Sequence, residues 1–429
     1  MSKSPEEVFT PKSGIINLNM YVHREDLEAA LLEKTNGDFN IIIHGESGSG
    51  KTWLYKKLFG EYDISYEIIN LAQISRFGSL IKTIQNKVDK YKKEYVTEIK
   101  HSNEVKLSLL EKLFSLGVKK ETISHLPEND PVESIYEIIY LSQSHPGKRG
   151  YLILDNLESI FSDDNAMKEL RSLIMLQDDS DFEHFNVRLL IVGVPHGIKE
   201  YFSKFSEGEN IKNRLTEIPE VARLTNEECI ELLTKGFINE LAYKFDDTLF
   251  GGFSSLQNHV PWITDRIPQR VQEYCLELAK IIQNNGGIFN ENHLELADRK
   301  WLQERLSADY SIVESRMNAK DTKEQRRNQV LYALGQYDRK EFKASQIEPL
   351  VRQIFNVDNQ IKLDISGTLS ILSKEQLVSS SPEPLKPILK KSTNGDSYSF
   401  ADPKYLMCLR TMLKLTQDGK IEKTVISEA

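Results

Sequence analysis

The sequence predicts an α/β core, built as a parallel sheet flanked by helices, followed by a small helical domain and a C-terminal winged-helix domain. Short apolar runs of strand length alternate with helical segments over the first half of the 429 residues. Such alternation is typical of a doubly wound parallel sheet. Amphipathic helical segments come next, and the chain closes with helical segments around a potential β-hairpin.

The strands of the predicted core are apolar runs bounded by turn or charge signals, as expected for parallel strands that are buried on both faces. Helical segments accompany them at 26–33 and from 51 to about 59. A polar stretch rich in Lys and Glu, 77–126, carries apolar residues at helical spacing, which indicates helices inserted between strands. The apolar runs are FNIII (39–43), SYEIIN (65–70), GYLILDN (150–156) and VRLLIVG (187–193).

Domain boundaries follow from the change to continuous helical patterns. Thr225, with Glu228 three residues later, has the spacing of a capping box, which marks a helix start. An amphipathic helix at 267–287 ends at two glycines. The predicted parts are an extended N-terminal lead-in (1–19), the core (20–222), the helical domain (223–315) and the winged-helix domain (322–429).

Composition narrows the class of protein. Charged residues make up 28% and hydrophobic residues 39% of the chain, and no run approaches the ~18 apolar residues of a membrane span. The N-terminal segment lacks the apolar core of a signal peptide. The three cysteines, Cys229, Cys275 and Cys408, form no CxxC pair. We therefore expect a cytoplasmic protein with no zinc site, no disulfide framework and no membrane association.

Charge is unevenly distributed along the chain. The net charge of −9 argues against indiscriminate coating of nucleic acid. From Thr322 onward, 17 Lys and Arg face 13 Asp and Glu, so this part carries +4 and the first 321 residues carry −13. If duplex DNA is bound, residues 322–429 are the expected binding region.

Residues 45–52, GESGSGKT, match the pattern GxxxxGK[ST] between a predicted strand and a predicted helix. Glycines in such a loop let backbone N–H groups surround phosphate oxygens, and the helix N-terminus adds a favourable dipole. Lys51 is expected to reach the β- and γ-phosphates and Thr52 to bind Mg²⁺. The stretch predicts a P-loop for ATP or ADP with Mg²⁺, formed by Gly45, Glu46, Ser47, Gly48, Ser49, Gly50, Lys51 and Thr52.

A Mg²⁺-nucleotide site also needs an acidic residue at the end of a neighbouring strand. Asp155 follows four apolar residues in YLILDNLE and is expected to hold the metal through water. Asn156 follows, where many ATPases carry a water-polarising glutamate, and an amide can orient water but cannot accept its proton. Glu158 is either a substitute for that glutamate or a surface acid that begins a helix, and the sequence leaves both interpretations open.

With these motifs the chain resembles the AAA+/STAND group of P-loop ATPases, and within it the initiator (origin-recognition-like) ATPases and their bacterial relatives. YVHRE (21–25) is similar to a box that lies against adenine in that group, which implies contacts from Tyr21, Val22 and Arg24. His23 stands where a glycine is usual. LIVGVPH resembles the sensor 1 strand, which implies that His196 lies near the γ-phosphate. The alternative is that His196 is an ordinary loop histidine.

Two further stretches supply arginines through the same resemblance. NRLTEIP is similar to the box that holds the arginine finger, which implies that Arg214 either contacts the transferring phosphoryl group or is a surface arginine. DRIPQRV resembles the sensor 2 element at the start of a lid helix, with Pro268 as its proline and Arg270 as its arginine. Arg266 is the second choice for that arginine and stands where a glycine is expected.

The terminal segment resembles the winged helix of initiator ATPases. The resemblance places a recognition helix within 364–378 and puts Lys386, Lys390 and Lys391 on the wing, where lysines neutralise DNA phosphates. The stretch SGTLSIL offers few side chains that could read bases, so contact with a protein is the alternative use of this domain.

Taken with the motifs, the resemblance implies an ATP-binding AAA+-like switch with slow Mg²⁺-dependent ATPase activity. Its nucleotide state would control assembly of a homo-oligomer and engagement of DNA or a partner protein. The alternative is a defence (for example antiviral) or signalling ATPase that regulates a separate effector protein without binding DNA. Asn156 favours slow turnover in either case.

Overall fold

A computed structural model gives the structure of the chain. It describes residues 3–100, 130–143, 148–193, 208–245, 251–318, 325–377, 384–392 and 395–426. The chain divides into two compact units. We call Ser13–Arg223 the core unit, and Met1–Lys12 together with Leu224–Ala429 the helical unit.

The described residues of the core unit form a five-stranded sheet in the order β2-β3-β4-β1-β5. All neighbouring strands in it pair in parallel. This arrangement, with helices on the sheet, confirms the predicted α/β core. The strands are β1 (Asn40–His44), β2 (Tyr66–Asn70), β3 (Gly150–Asp155), β4 (Val187–Gly193) and β5 (Leu215–Glu217).

Alternate residues of the central strands enter two different hydrophobic cores, one on each face of the sheet. In β1, Ile42 lies in one core, whereas Ile41 and Ile43 lie in the other. In β3, Leu154 and Ile153 divide in the same way. Because both faces are covered, the middle positions of these strands are all apolar, which is why the sequence shows them as unbroken apolar runs.

Helices of the core unit supply the outer side of both cores. Glu25–Thr35 and Lys51–Glu61 pack in one core, and Leu80–Lys100, Pro131–Leu141 and Asp164–Met175 pack in the other. Of the predicted insert 77–126, residues 101–126 lie outside the described residues. The shorter helices are Ile74–Phe77, Ser180–Glu183 and Gly208–Lys212, with 3₁₀ turns at Leu18–Met20, Leu71–Gln73, Leu157–Ile160 and Leu176–Asp178.

Helices dominate the first part of the helical unit. The capping box predicted from Thr225 and Glu228 is present, and it starts the first of these helices. The helices are Asn226–Leu233, a π-helical stretch Thr234–Glu240, Gly252–Ile263, Pro268–Asn284, Asn292–Arg305 and Ser307–Ser315.

The terminal part of this unit combines helices with two short hairpins. Phe342 forms an antiparallel bridge with Tyr398, next to the hairpin β6–β7. The elements are Arg326–Gln336, Ala344–Phe355, Ile365–Leu372, β6 (Leu389–Lys391), β7 (Tyr398–Phe400), Pro403–Met412, β8 (Leu413–Leu415) and β9 (Ile421–Lys423). Three helices and a hairpin are the elements of a winged helix, and that interpretation of 322–429 stays a prediction.

The N-terminal residues differ from the extended lead-in that the sequence suggested. Pro5–Val8 is a short helix with a capping box formed by Ser4 and Glu7. Phe9 is buried, and its ring lies 5.1 Å from that of Phe237. The backbone N–H of Thr10 donates to the side chain of Gln272 at 2.9 Å. Apolar burial and this hydrogen bond hold the segment within the helical unit.

Candidate functional site

The phosphate loop connects β1 to the helix Lys51–Glu61. Gly50 has a φ of 95°, a left-handed conformation that glycine adopts without strain. Gly45 is required for another reason, since a Cβ atom there would lie 2.3 Å from the carbonyl oxygen of Val221. The backbone N–H of Val221 donates to the carbonyl of His44 at 2.8 Å. The loop is therefore packed tightly against the segment that follows β5.

Lys51 points into this loop. Its Nζ donates to the carbonyl oxygens of Gly45 and Glu46 at 2.7 and 2.9 Å. Burial lowers the pKa of Lys51, and the carboxylates of Glu158, Asp155 and Glu46 act in the opposite direction. The lysine is thus a half-buried cation whose partners are the loop carbonyls and nearby negative charge, an arrangement suited to an incoming phosphate.

Asp155 ends β3 at the same edge of the sheet. Its Oδ1 accepts a hydrogen bond from the backbone N–H of Asn156 at 2.9 Å, and the hydroxyl of Tyr55 lies 3.5 Å from its Oδ2. Burial raises the pKa of Asp155, opposed by that backbone hydrogen bond and by Lys51. Thr52, the second residue of the loop helix, is half-buried. Asp155 and Thr52 are the predicted Mg²⁺ residues, and their oxygen donors suit this metal.

Asn156 is tied to a residue that the sequence did not single out. Asn156 has a φ of 64°, which asparagine tolerates better than most residues. Its Nδ2 donates to Oδ1 of Asn70 at 3.0 Å, and the register pairs Asn70 with Asp155. Two asparagines therefore occupy the ends of neighbouring strands, and the Asn156 amide is oriented by hydrogen bonding rather than by a charge.

Glu158 lies on the exposed 3₁₀ turn after β3, beside the end of β4. A Cβ atom at Gly193 would lie 3.4 Å from Oε2 of Glu158. Its charge also raises the pKa of Lys51 and of Asp155. Glu158 therefore lies at the edge of the sheet where β3 and β4 end, and the alternative role as a surface acid agrees with its exposure.

The predicted adenine-side residues are anchored to the loop helix by one carboxylate. Glu28 accepts hydrogen bonds from the hydroxyl of Tyr21 (3.0 Å), the backbone N–H of Arg24 (2.9 Å) and Nζ of Lys57 (2.8 Å). Burial raises the pKa of Glu28, but these hydrogen bonds outweigh it and lower the pKa to about 2. Tyr21 and Val22 are both 6% exposed. The box is therefore fixed in place relative to the phosphate loop.

Arg223 is a second residue that the sequence analysis missed. Its Nε and Nη2 donate to the two carboxylate oxygens of Glu46 at 3.0 and 3.3 Å. Arg24 donates to the carbonyl oxygens of Ser49 at 3.4 Å and of Arg223 at 3.3 Å. Two arginines outside the loop thus contact two of its groups, the Glu46 carboxylate and the Ser49 carbonyl. The only sequence signal for Arg223 was its position at the predicted boundary, as the first residue of the predicted helical domain (223–315).

Arg214 lies at the opposite edge of the sheet from the phosphate loop. It immediately precedes β5, and the register pairs Asn40, at the start of β1, with Leu215. Its guanidinium contacts Asp178 and donates to the carbonyl of Asn210 at 2.5 Å. The structure therefore does not bring Arg214 to the phosphate loop of its own chain, and a role toward a second copy stays a prediction.

Pro268, Arg270 and Arg266 belong to the helical unit. Pro268 begins the helix Pro268–Asn284, and Nη1 of Arg270 donates to the buried Glu273 at 2.6 Å. Arg266 has a φ of 56°, so this position has the left-handed backbone that explains why a glycine is expected there. His196 lies outside the described residues, as does the rest of 194–207.

Lysines border the hairpin β6–β7 as the sequence suggested. Lys386, Lys390 and Lys391 are exposed, and Nζ of Lys391 lies 5.9 Å from the ring centroid of Tyr398. The helix Ile365–Leu372 lies within the segment 364–378 that was expected to contain it, and beyond its end Gln376 forms a bridge with Leu385.

The sheet order, the glycine-rich loop after β1 and the acidic residue after β3 define a P-loop nucleotide-binding core. Residues 35–202 match the family described as AAA domain. This part of the chain is an AAA domain, a nucleotide-binding ATPase domain, and the predicted resemblance to AAA+ ATPases is confirmed. No curated protein matches the sequence.

Solved structures of similar fold have low sequence identity to this chain. The Walker-type ATPase PABY2304 of Pyrococcus abyssi is 13% identical, with 91% of this chain and 96% of that chain covered and a TM-score of 0.50. ORC2 of Aeropyrum pernix (12%; 96% and 98% covered; TM-score 0.48) and Cdc6p of Pyrobaculum aerophilum (14%; 95% and 97%; 0.42) are more distant. Among the described residues, no helix has the length and apolar character needed to cross a membrane.

Proposed function

We propose that the protein is a cytoplasmic, ATP-binding molecular switch and a slow Mg²⁺-dependent ATPase, which assembles as a homo-oligomer and engages DNA or a partner protein according to its nucleotide state. The observation that carries the proposal is the meeting of Lys51, Asp155 and Glu158 at the carboxyl edge of the sheet. Lys51 begins the helix that follows the loop after β1, Asp155 ends the parallel strand β3, and Glu158 lies on the turn that follows β3. Ligands of parallel α/β folds bind at this edge.

Each residue has a defined part in this proposal. Lys51 and the loop N–H groups bind phosphate oxygens, and Lys51 exchanges its contacts with the Gly45 and Glu46 carbonyls for them. Thr52 and Asp155 hold Mg²⁺, which when bound neutralises charge on the phosphate oxygens. Glu158 orients the attacking water and accepts its proton.

Slow turnover follows from Asn156. Its amide already donates to Asn70, and an amide accepts no proton at neutral pH. The only carboxylate assigned to water activation is therefore Glu158, which is exposed and one turn further along the chain. An exposed base on a short turn is held less rigidly than one at a strand end, so it is less well positioned for proton transfer.

The remaining predicted residues complete the proposal around the nucleotide. Tyr21, Val22 and Arg24 lie on the adenine side, and Arg270, following Pro268, responds to the nucleotide from the helical unit. Arg214 acts as an arginine finger on the nucleotide of a second copy, which its location away from its own phosphate loop supports. His196 would contact the γ-phosphate.

ATP turnover by the purified chain tests the enzyme part of this proposal. We expect slow hydrolysis that requires Mg²⁺ and is absent from Lys51→Ala. Lys56→Ala is the matched control, because Lys56 lies on the same helix and its Nζ donates to the carbonyl of Gly14 at 2.6 Å, outside the phosphate loop. Turnover that survives in Lys51→Ala, or is lost equally in Lys56→Ala, would contradict the assignment.

The output of the switch is proposed to be duplex DNA, bound by a winged helix within 322–429. The exposed Lys390 and Lys391 on β6 support the proposed DNA binding, since lysines on a wing contact DNA phosphates. In a salt titration by fluorescence anisotropy, the variant with Lys390→Ala and Lys391→Ala should bind duplex DNA more weakly and with a shallower salt dependence. Lys414→Ala with Lys420→Ala, on the hairpin β8–β9, is the control. Equal binding by both double variants would exclude the wing.

A second candidate output is a separate effector protein, as in a defence or signalling ATPase. Two exposed apolar side chains favour it: Ile371, at the end of the helix Ile365–Leu372, is 41% exposed, and Leu377 is 85% exposed. Neither belongs on a surface dedicated to phosphates. Absence of DNA binding at low salt, together with co-purification of a stoichiometric partner that Ile371→Ser releases, would favour this candidate over the DNA-binding one.

A further inference from the structure

We propose that the ion pair between Arg223 and Glu46 transmits the state of the phosphate loop to the chain segment that leaves the core unit. This inference rests on the proposed nucleotide binding. Arg223 is the last residue of the core unit and Leu224 is the first residue of the helical unit. A change at Arg223 therefore passes directly along the main chain into the other unit.

The ion pair is well suited to transmit a change in the loop. Nε and Nη2 of Arg223 each bind a different carboxylate oxygen of Glu46, at 3.0 and 3.3 Å. The side chains are 16% and 22% exposed. Two parallel hydrogen bonds fix orientation as well as distance, which a single contact from a lysine would not do.

Glu46 is contacted by two cations at once. Lys51 donates to its carbonyl oxygen at 2.9 Å, and Arg223 donates to its carboxylate. When Lys51 turns to a bound phosphate, the Glu46 peptide loses a partner and can reorient. Its carboxylate moves with it, and Arg223 follows, because the guanidinium is paired with both carboxylate oxygens.

Close packing between the phosphate loop and residues 221–223 prevents the loop from moving independently of this segment. A Cβ atom at Gly45 would lie 2.3 Å from the carbonyl oxygen of Val221, so the loop has no room to move past this segment. Arg24 adds a second connection, since it donates to the carbonyl oxygens of both Ser49 and Arg223. The loop and residues 221–223 are therefore expected to shift together.

On the far side of the junction, the chain is bound to the predicted sensor 2 element. The backbone N–H of Leu224 donates to the carbonyl of Arg266 at 2.9 Å, two residues before Pro268. Arg266 holds a left-handed φ of 56° at this point. Movement of Leu224 thus acts on the start of the helix that carries Arg270, and Arg223 is a positioning residue rather than a catalytic one.

Hydrogen–deuterium exchange with mass spectrometry tests this inference on the full chain, with and without a non-hydrolysable ATP analogue and Mg²⁺. In wild type, we expect the analogue to slow exchange at 224–233 and 266–274 at least threefold. Arg223→Gln should bind the analogue within threefold of wild type, measured by calorimetry, and lose this response. Arg223→Lys should recover less than half of it.

Arg149→Gln is the matched control. Arg149 is also an ion-paired arginine of the core unit, 2.7 Å from Asp38 and 18% exposed, and its variant should respond as wild type does. A full response in Arg223→Gln, or none in a wild type that binds the analogue, would overturn this inference alone. A wild type that does not bind the analogue would overturn the proposed function as well.

Discussion

The two units each hold a cation among backbone carbonyls, but they bury it and satisfy its hydrogen bonds to different degrees. Arg316, in the helical unit, is fully buried, and its five N–H donors have five acceptors. Lys51, in the core unit, has three donors and donates two hydrogen bonds to loop carbonyls. The acceptors of Arg316 are the carbonyls of Ile371, Lys374, Leu385 and Lys386 and the side chain of Gln376.

This difference separates a structural cation from one suited to a ligand. The Arg316 carbonyls come from segments up to 70 residues away in sequence, so the arginine holds the terminal part of the helical unit together. The Lys51 carbonyls belong to the loop that also provides N–H groups for phosphate. A saturated cation cannot accept a new partner without losing one, whereas Lys51 can exchange weak neutral partners for a charged one.

Arg316→Met gives the largest effect expected from this comparison. It removes all five hydrogen bonds of a fully buried guanidinium, which should destabilise the helical unit by about 3–5 kcal/mol. Urea unfolding in a Trp53→Phe background measures this, since the remaining tryptophans, Trp262 and Trp301, both lie in the helical unit. Arg299→Met, at an arginine side chain 61% exposed, should cost no more than about 0.5 kcal/mol. Equal costs would contradict the structural role of Arg316.

Glu28→Gln should have the next largest effect, within the core unit. A neutral amide weakens three hydrogen bonds to a charged acceptor, for an expected loss of about 1.5–3 kcal/mol at pH 7. The pKa of Glu28 is about 2, below its ordinary 4.5, so its contribution is complete above pH 4.5 and is lost as pH falls toward 2. The difference in urea unfolding between wild type and variant should therefore shrink over this interval. A difference independent of pH would contradict the assignment.

Glu158→Gln tests how the core unit acts on a ligand bound near Lys51. If Glu158 accepts the proton of the attacking water, its amide should lower ATP turnover at least tenfold, about 1.4 kcal/mol, with ATP affinity unchanged. Steady-state hydrolysis and calorimetry measure the two quantities. Glu33→Gln, at a side chain 75% exposed, should leave both unchanged. Wild-type turnover in Glu158→Gln would mean that Glu158 is a surface acid with no part in hydrolysis.

Lys51→Ala should have the smallest effect on folding, measured without nucleotide. Burial disfavours the charged form of Lys51, as its lowered pKa indicates. Removing the lysine therefore removes this desolvation cost, which offsets the loss of its two hydrogen bonds. We expect the free energy of unfolding of the core unit, followed by circular dichroism in urea, to change by less than about 1 kcal/mol. A loss as large as that of Arg316→Met would mean that Lys51 is a structural cation too.

Sequence reasoning located the parts of the site that depend on local patterns. The phosphate loop, Asp155 and the strands around them follow from apolar runs and motif spacing. β5 was missed because three residues, Leu215–Glu217, are too few to show an alternating pattern. Asn70 and Arg223 were missed because their roles depend on strand register and on packing after β5, neither of which is encoded in neighbouring residues.

Arg316, outside the site, is another residue whose role could not be predicted from its neighbours in sequence. In its polar surroundings, VESRMNAK, an arginine is expected on the surface. Its burial depends on the carbonyls of four residues at and beyond the end of the helix Ile365–Leu372, namely Ile371, Lys374, Leu385 and Lys386. The helix ends within the predicted segment 364–378, and an uninterrupted helix would have used some of those carbonyls for its own hydrogen bonds.

Calorimetric titration of ATP with Mg²⁺ into wild type, Lys51→Ala and Lys56→Ala tests the central claim most directly. We expect one site per chain in wild type and in Lys56→Ala, and an affinity at least a hundredfold weaker, about 2.7 kcal/mol, in Lys51→Ala. Together with unchanged folding of the variant, this result would identify Lys51 as a cation held ready for phosphate. Binding by Lys51→Ala within threefold of wild type would contradict the claim.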